Sequence, residues 1–351
     1  MARWKNRPEG SNWGDFGPDD RIGRVNWITP EKVKQGIAEV REGRTFCLSL
    51  PLEYPGGNLL NPRRFPPQLF AVVREGRPNM ALPLSLYDPR VTDVSSDDAA
   101  LLYLQYSTQW DSFAHIGSMF DADGDGAPER VFYNGWRGGS DVPDVEDRNV
   151  GEPRLERFPS KGTEALGIHN FARHGLQGRG VLVNLHDECG ERREWIGYDR
   201  LMQAMQAQKV EVEKGDMLCF YTGFGDVVLS MGRKPDLRRL ENSCAVLDGR
   251  DRALLNWITD SGVSCLIADN YAVEGLPARE TASLAVDGSH AMLPLHEHCL
   301  FKQGIPLGEL WYLSELAAYL KQHKRSRFLL TAPPLRLTGA VGSPSSPIAT
   351  V

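Results

Sequence analysis

The chain has 351 residues, of which 41% are hydrophobic and 25% are charged, and both fractions are ordinary for a globular protein. With 40 Lys and Arg residues against 46 Asp and Glu residues, the net charge is -6, which argues against nucleic acid or an anionic membrane as a partner. No apolar run approaches the about 20 residues that a membrane-spanning helix needs. We also expect no secretory signal, because no apolar segment follows the basic residues of the N-terminus.

Six cysteines are scattered along the chain without a C-x-x-C pair. Several of them lie in apolar runs, such as Cys219 within residues 217–220 and Cys265 within residues 263–267. Reduced and buried thiols in a cytoplasmic protein are the simplest interpretation of this pattern.

The first 28 residues are rich in Trp, Gly, Pro and Asp and predict an irregular N-terminal arm. Thr29, Pro30 and Glu31 then have the pattern of an N-cap, a first-turn proline and an acidic first turn, which predicts a helix through about Glu42. Strands are predicted where β-branched or apolar runs lie between turn residues, at 45–52, 180–185, 217–222 and 263–268. Further helices are predicted at 198–205, 250–261 and 313–324.

Strands and helices are mixed without a strict βαβ rhythm, which indicates an α/β protein with a mixed sheet and flanking helices. No internal repeat or long linker divides the chain. We therefore expect one domain over residues 29–332, preceded by the arm of residues 1–28. The tail of residues 333–351 carries enough apolar residues that we expect it to dock on this domain.

The segment from Gln105 to His115 concentrates side chains that can bind a metal or transfer protons. Asp111 and His115 are standard metal ligands and acid–base groups, while Gln105 and Gln109 offer neutral amide oxygens. In an extended chain Gln109 and Asp111 project to the same side, and the four-residue step to Gln105 keeps that side. One strand edge could thus direct three oxygen donors to one point, although polar residues around a single Asp more often lie at the surface or form hydrogen bonds in the core.

This segment resembles the signature of the cyclase superfamily, H-x-G-T-H-x-D-x-P-x-H, which kynurenine formamidase and isatin hydrolase share. The H, G, T, H, D, P and H positions are occupied here by Gln105, Ser107, Thr108, Gln109, Asp111, Phe113 and His115. Blocks similar to those of the longer members extend the resemblance along nearly the whole chain: residues 13–20, 133–135, 178–182, 222–223, 269–274, 304–311 and 342–349.

Both early histidines of that signature are glutamines in this sequence. The pattern Q-x-x-x-Q-x-D with a distant histidine resembles the branch represented by trans-dienelactone hydrolase, a zinc-dependent enzyme. The resemblance implies metal ligands at Gln105, Gln109, Asp111 and His296, with His115 and Glu309 at the other functional positions. His298 could replace His296 as the ligand, but the spacing to Glu309 favours His296.

The resemblance further implies a swivelling β/α cyclase-type domain that assembles as a homodimer or homotetramer. It implies hydrolysis of a small cyclic ester (a lactone), with two alternatives: cleavage of a C–N bond on the same scaffold, or a non-catalytic homologue. Amide oxygens are poorer ligands for Zn²⁺ than imidazole is, so the expected cofactor is a weakly held Zn²⁺, with Mn²⁺ as the alternative. His115 is expected to act as the general base, and Glu309 to orient it or to support the metal ligands. Candidates for the pocket wall are Trp110, Phe113, Tyr133 and Trp136.

Overall fold

The computed structural model describes residues 2–143, 162–280 and 289–351. Helices and strands are interleaved along these residues. The helices are α1 (Pro30–Ala38), α2 (His169–His174), α3 (His186–Cys189), α4 (Tyr198–Gln208), α5 (Phe224–Ser230), α6 (Leu237–Asn242), α7 (Arg252–Ser261), α8 (Pro294–His296) and α9 (Ser314–Gln322). A π-helical turn, Glu297–Lys302, continues α8. Each of these described helices is too short or too polar to span a lipid bilayer.

The strands of the N-terminal half are β1 (Thr45–Cys47), β2 (Gln68–Ala71), β3 (Val73–Arg74), β4 (Arg77–Pro78), β5 (Leu82–Pro83), β6 (Val94–Ser95), β7 (Asp98–Leu101), β8 (Gln109–Asp111), β9 (Ser118–Phe120) and β10 (Glu129–Val131). Those of the C-terminal half are β11 (Gln177–Asn184), β12 (Glu194–Ile196), β13 (Met217–Tyr221), β14 (Ala245–Leu247), β15 (Cys265–Ala268), β16 (Leu307–Glu309), β17 (Arg327–Thr331), β18 (Gly342–Pro344) and β19 (Ile348–Thr350).

Within the described residues, nine strands form one sheet in the order β1-β19-β17-β11-β13-β15-β16-β8-β18. The four central strands β11, β13, β15 and β16 are parallel, and antiparallel strands extend the sheet on both sides. The central strands β13 and β15 are apolar and fully buried, as expected for parallel strands that are covered on both faces. The prediction of an α/β fold with a mixed sheet is therefore confirmed.

Helix α1 covers one face of this sheet. The Thr29 hydroxyl caps its N-terminus by accepting a hydrogen bond from the Lys32 amide, and Gly36 allows the helix to approach β11, because a Cβ at Gly36 would lie 2.7 Å from the carbonyl oxygen of Gly178. The sequence predicted a helix through about Glu42, but the helix ends at Ala38. The amides of Glu42 and Gly43 instead donate to the carbonyl oxygen of the last residue, Val351.

The strand predicted at residues 45–52 is shorter than expected, since only Thr45–Cys47 pairs as β1. After β1 the backbone turns toward other partners: the Leu48 amide donates to Pro347, and the Leu50 amide donates to the hydroxyl of Thr108. This path brings residues 50–64 close to β8.

The N-terminal arm and the C-terminal tail both pack on the rest of the chain. Trp13 is fully buried and its indole donates to the Phe301 carbonyl, while the guanidinium of the buried Arg24 donates to carbonyl oxygens of α7 and to Gln303 Oε1. The tail contributes β18 and β19 to the main sheet. One of these strands, β18, borders the candidate site.

Candidate metal centre

Strand β8 carries Gln109 and Asp111 and lies between β16 and β18. In its register Gln109 pairs with Glu309, and Asp111 pairs with Gly342 on the other neighbouring strand. Because side chains alternate between the two faces of a sheet, Gln109, Asp111 and Glu309 project from the same face. Trp110 projects from the opposite face, where it is fully buried against Trp311.

Gln105 lies on the same face as Asp111, although it precedes the strand. A Cβ at Gly342 would lie 2.6 Å from Gln105 Nε2, so the Gln105 side chain occupies the space that a larger residue at this position would fill. Gly342 pairs with Asp111. The predicted grouping of Gln105, Gln109 and Asp111 on one side of the chain therefore has a structural counterpart.

Several oxygen atoms in this group are buried without a partner. Within the described part of the chain, no donor reaches Asp111 Oδ1, Asp111 Oδ2 or Gln109 Oε1 with a hydrogen bond. The Gln109 amide nitrogen is occupied, because it donates to Glu309 Oε2 at 3.0 Å. Buried oxygen atoms without a partner are costly, and a divalent cation with oxygen and nitrogen ligands would remove that cost.

His296 faces the same point from the end of α8. One ligand atom from each of Asp111, His115 and His296 lies within 4.8 Å of the other two, a spacing compatible with binding to one ion. His296 Nδ1 donates to Glu274 Oε1 at 2.9 Å, and Nε2 donates to Glu309 Oε1 at 3.1 Å. The carboxylate of Glu274 thus fixes the ring so that Nε2 points toward Glu309 and the centre, an orientation that carboxylates commonly impose on metal-binding histidines.

The buried charges of this group perturb one another strongly. Burial, followed by the charge of Glu309, raises the pKa of Asp111 well above its ordinary value. Burial alone would lower the pKa of His296, but the hydrogen bonds to Glu274 and Glu309 outweigh it and raise this pKa to about 10. Strongly perturbed groups that cluster beside a cavity are typical of functional sites.

His115 lies at the edge of the group and is partly exposed. Its Nε2 is 4.0 Å from Asp111 Oδ1, and its ring centroid is 6.2 Å from that of His296. Burial, reinforced by the positive charge of His296, lowers the pKa of His115 to about 4. The imidazole is therefore neutral near pH 7 and can accept a proton.

His298, the alternative ligand, lies elsewhere. Its Nε2 is 2.9 Å from the hydroxyl of Thr259 on α7, and it is not part of the group formed by Asp111, His115 and His296. The two-residue step along the helical turn separates the side chains of His296 and His298, as expected when successive residues are about 100° apart.

A cavity of about 470 Å³ opens beside this group. Its volume is within the range of small-molecule sites. Gln105, His115, His296 and Glu309 lie in its wall, whereas Gln109 and Asp111 are buried behind it. The rest of the wall comes from residues 55–64, 271–276 and 292–293 and from neighbours of the residues already named: Pro55, Gly57, Asn58, Leu60, Asn61, Arg63, Arg64, Tyr106, Ile116, Tyr271, Ala272, Leu276, Met292, Leu293 and Leu310.

The prediction that Trp110, Phe113, Tyr133 and Trp136 line the pocket is wrong for this cavity. All four are buried and pack elsewhere: Phe113 contacts the rings of Tyr133 and Phe171, while the Tyr133 hydroxyl donates to Asp20. Trp110 projects from the face of β8 opposite to Asp111, and the turn after Asp111 carries Phe113 into the core.

Two contributions to the site were missed from the sequence. Glu274, buried behind His296, was recognised only as part of a family block, and the segment of residues 55–64 was not assigned to the site. An acidic residue with no charged neighbour in sequence, at the end of a stretch that follows a buried strand, is a weak signal. Only the fold reveals its histidine partner.

The family model named Cyclase matches residues 85–275, which is more than half of the chain. No curated protein matches it. The crystal structure of a protein described as a novel cyclase is 28% identical, covers 97% of both chains and has a TM-score of 0.72.

Two more distant structures share the fold. An isatin hydrolase bound to the product analogue thioisatinate is 13% identical, with 92% of this chain and 99% of the other covered and a TM-score of 0.52. Isatin hydrolase A from Ralstonia solanacearum is 14% identical, with 92% and 97% covered and a TM-score of 0.51. The family model and the fold agree: the chain belongs to the cyclase family.

Proposed function

We propose that the protein is a metal-dependent hydrolase that opens a small cyclic ester. The observation that carries this proposal is the set of buried oxygens without a partner, Gln109 Oε1 and both carboxylate oxygens of Asp111, next to two histidines in a cavity wall. A carboxylate with neither a hydrogen bond nor a paired cation is rarely kept in a protein interior unless a bound ion compensates it.

The residues that would hold the cation are Gln105, Gln109, Asp111 and His296. Zn²⁺ suits a ligand set that contains imidazole, while the high share of oxygen donors also suits Mn²⁺. When bound, such an ion supplies Lewis-acid polarisation of a carbonyl and acidifies a water molecule. Since a ligating histidine must be deprotonated, binding at His296 Nε2 requires loss of the proton that this atom now donates to Glu309.

The chain's own acid–base group is His115. It is partly exposed and lies in the cavity wall, and its lowered pKa leaves the ring neutral and able to accept a proton near neutral pH. Glu309 lies between Gln109 and His296 and holds both side chains in position. Glu274 supports the outer nitrogen of His296.

The proposed reaction balances as the addition of one water molecule. The water oxygen bonds to the carbonyl carbon while His115 takes one of its protons. The bond between that carbon and the ring oxygen then breaks, and the proton held by His115 passes to the leaving oxygen. The product is an open-chain hydroxy acid, and His115 returns to its neutral form.

A second candidate is cleavage of a C–N bond on the same scaffold. It is supported by the fold that the chain shares with two isatin hydrolases. The acid–base group needed to protonate a nitrogen leaving group is the same as that for an oxygen, so His115 would serve in both reactions.

Metal content and turnover measured together test the proposal. Protein purified with Zn²⁺ or Mn²⁺ is expected to hold about one ion per chain and to hydrolyse members of a panel of five- and six-membered lactones. Activity should disappear with a chelator and return with the metal. The same panel extended to isatin and formanilides decides between the ester and the amide. A metal-free protein with no turnover on either class would instead support a non-catalytic homologue.

We also propose that the chain forms a homodimer or homotetramer. Within the described ranges, the strands β2 to β7 pair in two-stranded sheets and not with the main sheet. They expose large apolar side chains, among them Leu69, Val73 and Val94 at 62–72%. Exposed apolar surface of this kind commonly marks an interface. Sedimentation analysis tests the assembly; a monomer at micromolar concentration would contradict it.

A cytoplasmic location is supported by the six free cysteines, five of which are buried.

A further inference from the structure

Two arginines lie in the wall of the cavity that contains His115 and His296. Arg64 is half-buried, and its Nη1 donates to the backbone carbonyl of Gln105 at 2.5 Å. Arg63 is exposed, and its Nε lies 3.4 Å from Asn61 Oδ1. Neither guanidinium forms a salt bridge with any residue in the described ranges. Their hydrogen-bond partners in the described residues are a backbone carbonyl and an amide oxygen, both neutral, so both positive charges remain available to an anion that enters the cavity.

The remaining charges of the cavity do not neutralise them. Among the described residues of the wall, Glu309 is the one carboxylate, and it already accepts hydrogen bonds from Gln109 and His296. The ring of His296 lies between Glu309 and the buried Glu274. Toward the cavity, the charge that is free to act on a ligand is therefore positive.

The other wall residues describe the rest of the ligand. The wall also contains the apolar side chains of Leu276, Met292 and Leu293. The amides of Asn58 and Asn61 belong to the same wall, and Asn61 Oδ1 contacts Arg63 Nε. A cavity of about 470 Å³ whose wall contains both apolar side chains and two arginines fits a small ring that carries an anionic substituent.

We propose that Arg63 and Arg64 bind a carboxylate of the substrate, so that the preferred substrates are anionic cyclic esters or amides. The planar guanidinium fork matches the two oxygens of a carboxylate. An anion held by these residues directs the ring and its carbonyl toward His115. Arg63 is then the main specificity-determining residue. Arg64 has a second contact, because it also holds the backbone of Gln105. This inference rests on the proposed function, since it assigns the substrate class of the same cavity.

A binding experiment tests the anion site without turnover. The probes are benzoate and benzamide, which have nearly the same shape and differ in charge, titrated calorimetrically into the metal-loaded protein. We expect benzoate to bind at least about tenfold more tightly than benzamide, as charge-assisted hydrogen bonds require. In Arg63→Gln this preference should fall to less than about threefold. Arg238→Gln, which removes an exposed arginine outside the cavity wall, should keep it.

Benzoate could also bind the metal directly, and the double variant Arg63→Gln/Arg64→Gln separates the two cases. A preference for benzoate that persists in this variant would overturn the proposal. Arg64→Lys keeps the charge at the partly buried position and should keep most of the preference, which excludes simple disruption of the Gln105 backbone as the cause.

Kinetics with a matched substrate pair separates this inference from the proposed function. The pair is a lactone that carries a ring carboxylate and the methyl ester of the same acid. Arg63→Gln should raise KM for the carboxylate at least about tenfold with little change in kcat, and should leave ring opening of the methyl ester within about twofold. Equal effects on both substrates would overturn the anion site and leave hydrolysis intact. If neither substrate is hydrolysed by the metal-loaded protein, the proposed function fails for lactones, while the benzoate experiment still decides the anion site.

Discussion

Gln109 and Glu309 face each other across two antiparallel strands, and Gln109 Nε2 donates a hydrogen bond to Glu309 Oε2 at 3.0 Å. This bond determines which end of the amide is available. With the nitrogen committed to Glu309, the oxygen points away from it and is buried without a partner. The register of β8 and β16 therefore presents an amide oxygen to the candidate metal centre.

The first prediction concerns this oxygen. Gln109→Leu keeps the approximate volume but removes the oxygen, so we expect the affinity for Zn²⁺ to fall at least about tenfold. Gln109→His supplies an imidazole, a better ligand for Zn²⁺, and should restore or raise the affinity. Competition with a chromophoric chelator measures the Kd. Gln177→Leu, at an exposed amide that bonds Thr331, is the matched control; an unchanged Kd in Gln109→Leu would remove Gln109 from the ligand set.

The second prediction uses the unpaired carboxylate of Asp111. In the metal-free protein this buried group is destabilising, so Asp111→Asn should leave the metal-free Tm unchanged or raise it. The wild-type protein should gain about 3 kcal/mol of unfolding free energy at a metal concentration 100 times Kd, and Asp111→Asn should gain none. Thermal unfolding with and without a chelator measures both effects, with the exposed Asp199→Asn as control. A metal-dependent rise in Tm that survives in Asp111→Asn would show that this carboxylate is not a ligand.

The third prediction separates the base from the ligands. If His115 transfers protons, His115→Ala should lower kcat by about 10²- to 10⁴-fold and keep the metal. Elemental analysis and turnover must be measured on the same sample. Loss of the ion together with activity would instead place His115 among the ligands, which its 4.0 Å distance from Asp111 also permits.

The parts of the fold that were predictable from the sequence are those set by local patterns. The cap at Thr29 and the apolar runs of β13 and β15 each depend on a few consecutive residues, so they can be predicted locally. The structure contains the corresponding helix and strands. Helix α1 ended four residues early because amides after it bond to Val351. A contact across about 300 residues leaves no local pattern.

The candidate site divides in the same way. The alternation on β8 could be predicted, because a period of two places Gln109 and Asp111 on one face. The hydrogen bond between Glu274 and His296 could not be predicted. The position of Arg63 and Arg64 in the cavity wall could not be predicted either. Each depends on where a distant loop packs, and neither residue type is unusual at its position in the sequence.

The fourth prediction concerns stability away from the site. Asp216 is fully buried and accepts hydrogen bonds from Arg179 Nε and Nη2, both at 2.9 Å, and from Lys32 Nζ at 3.0 Å. Asp216→Asn would leave two cations without their buried counter-charge, so we expect a loss of about 3–5 kcal/mol of unfolding free energy. Urea unfolding measures it. Glu213→Gln removes a carboxylate from the same cluster at a side chain that is 49% exposed, and should cost far less; equal losses would contradict the role of burial.

The pH dependence of stability should carry the signature of the same cluster. The hydrogen bond from Arg179 lowers the pKa of Glu213 below its ordinary value of 4.5. A carboxyl group whose pKa is lower in the folded than in the unfolded protein stabilises the fold at pH values above its unfolded-state pKa. This contribution is lost as the pH falls through its folded-state pKa.

The unfolding free energy of the wild-type protein should therefore decrease below about pH 4.5 more steeply than that of Glu213→Gln. Because the group is half exposed, the difference between the two slopes should be small, and it should shrink further with added salt as the Arg179 pair is screened. Parallel curves at low salt would mean that Arg179 is satisfied by Asp216 alone.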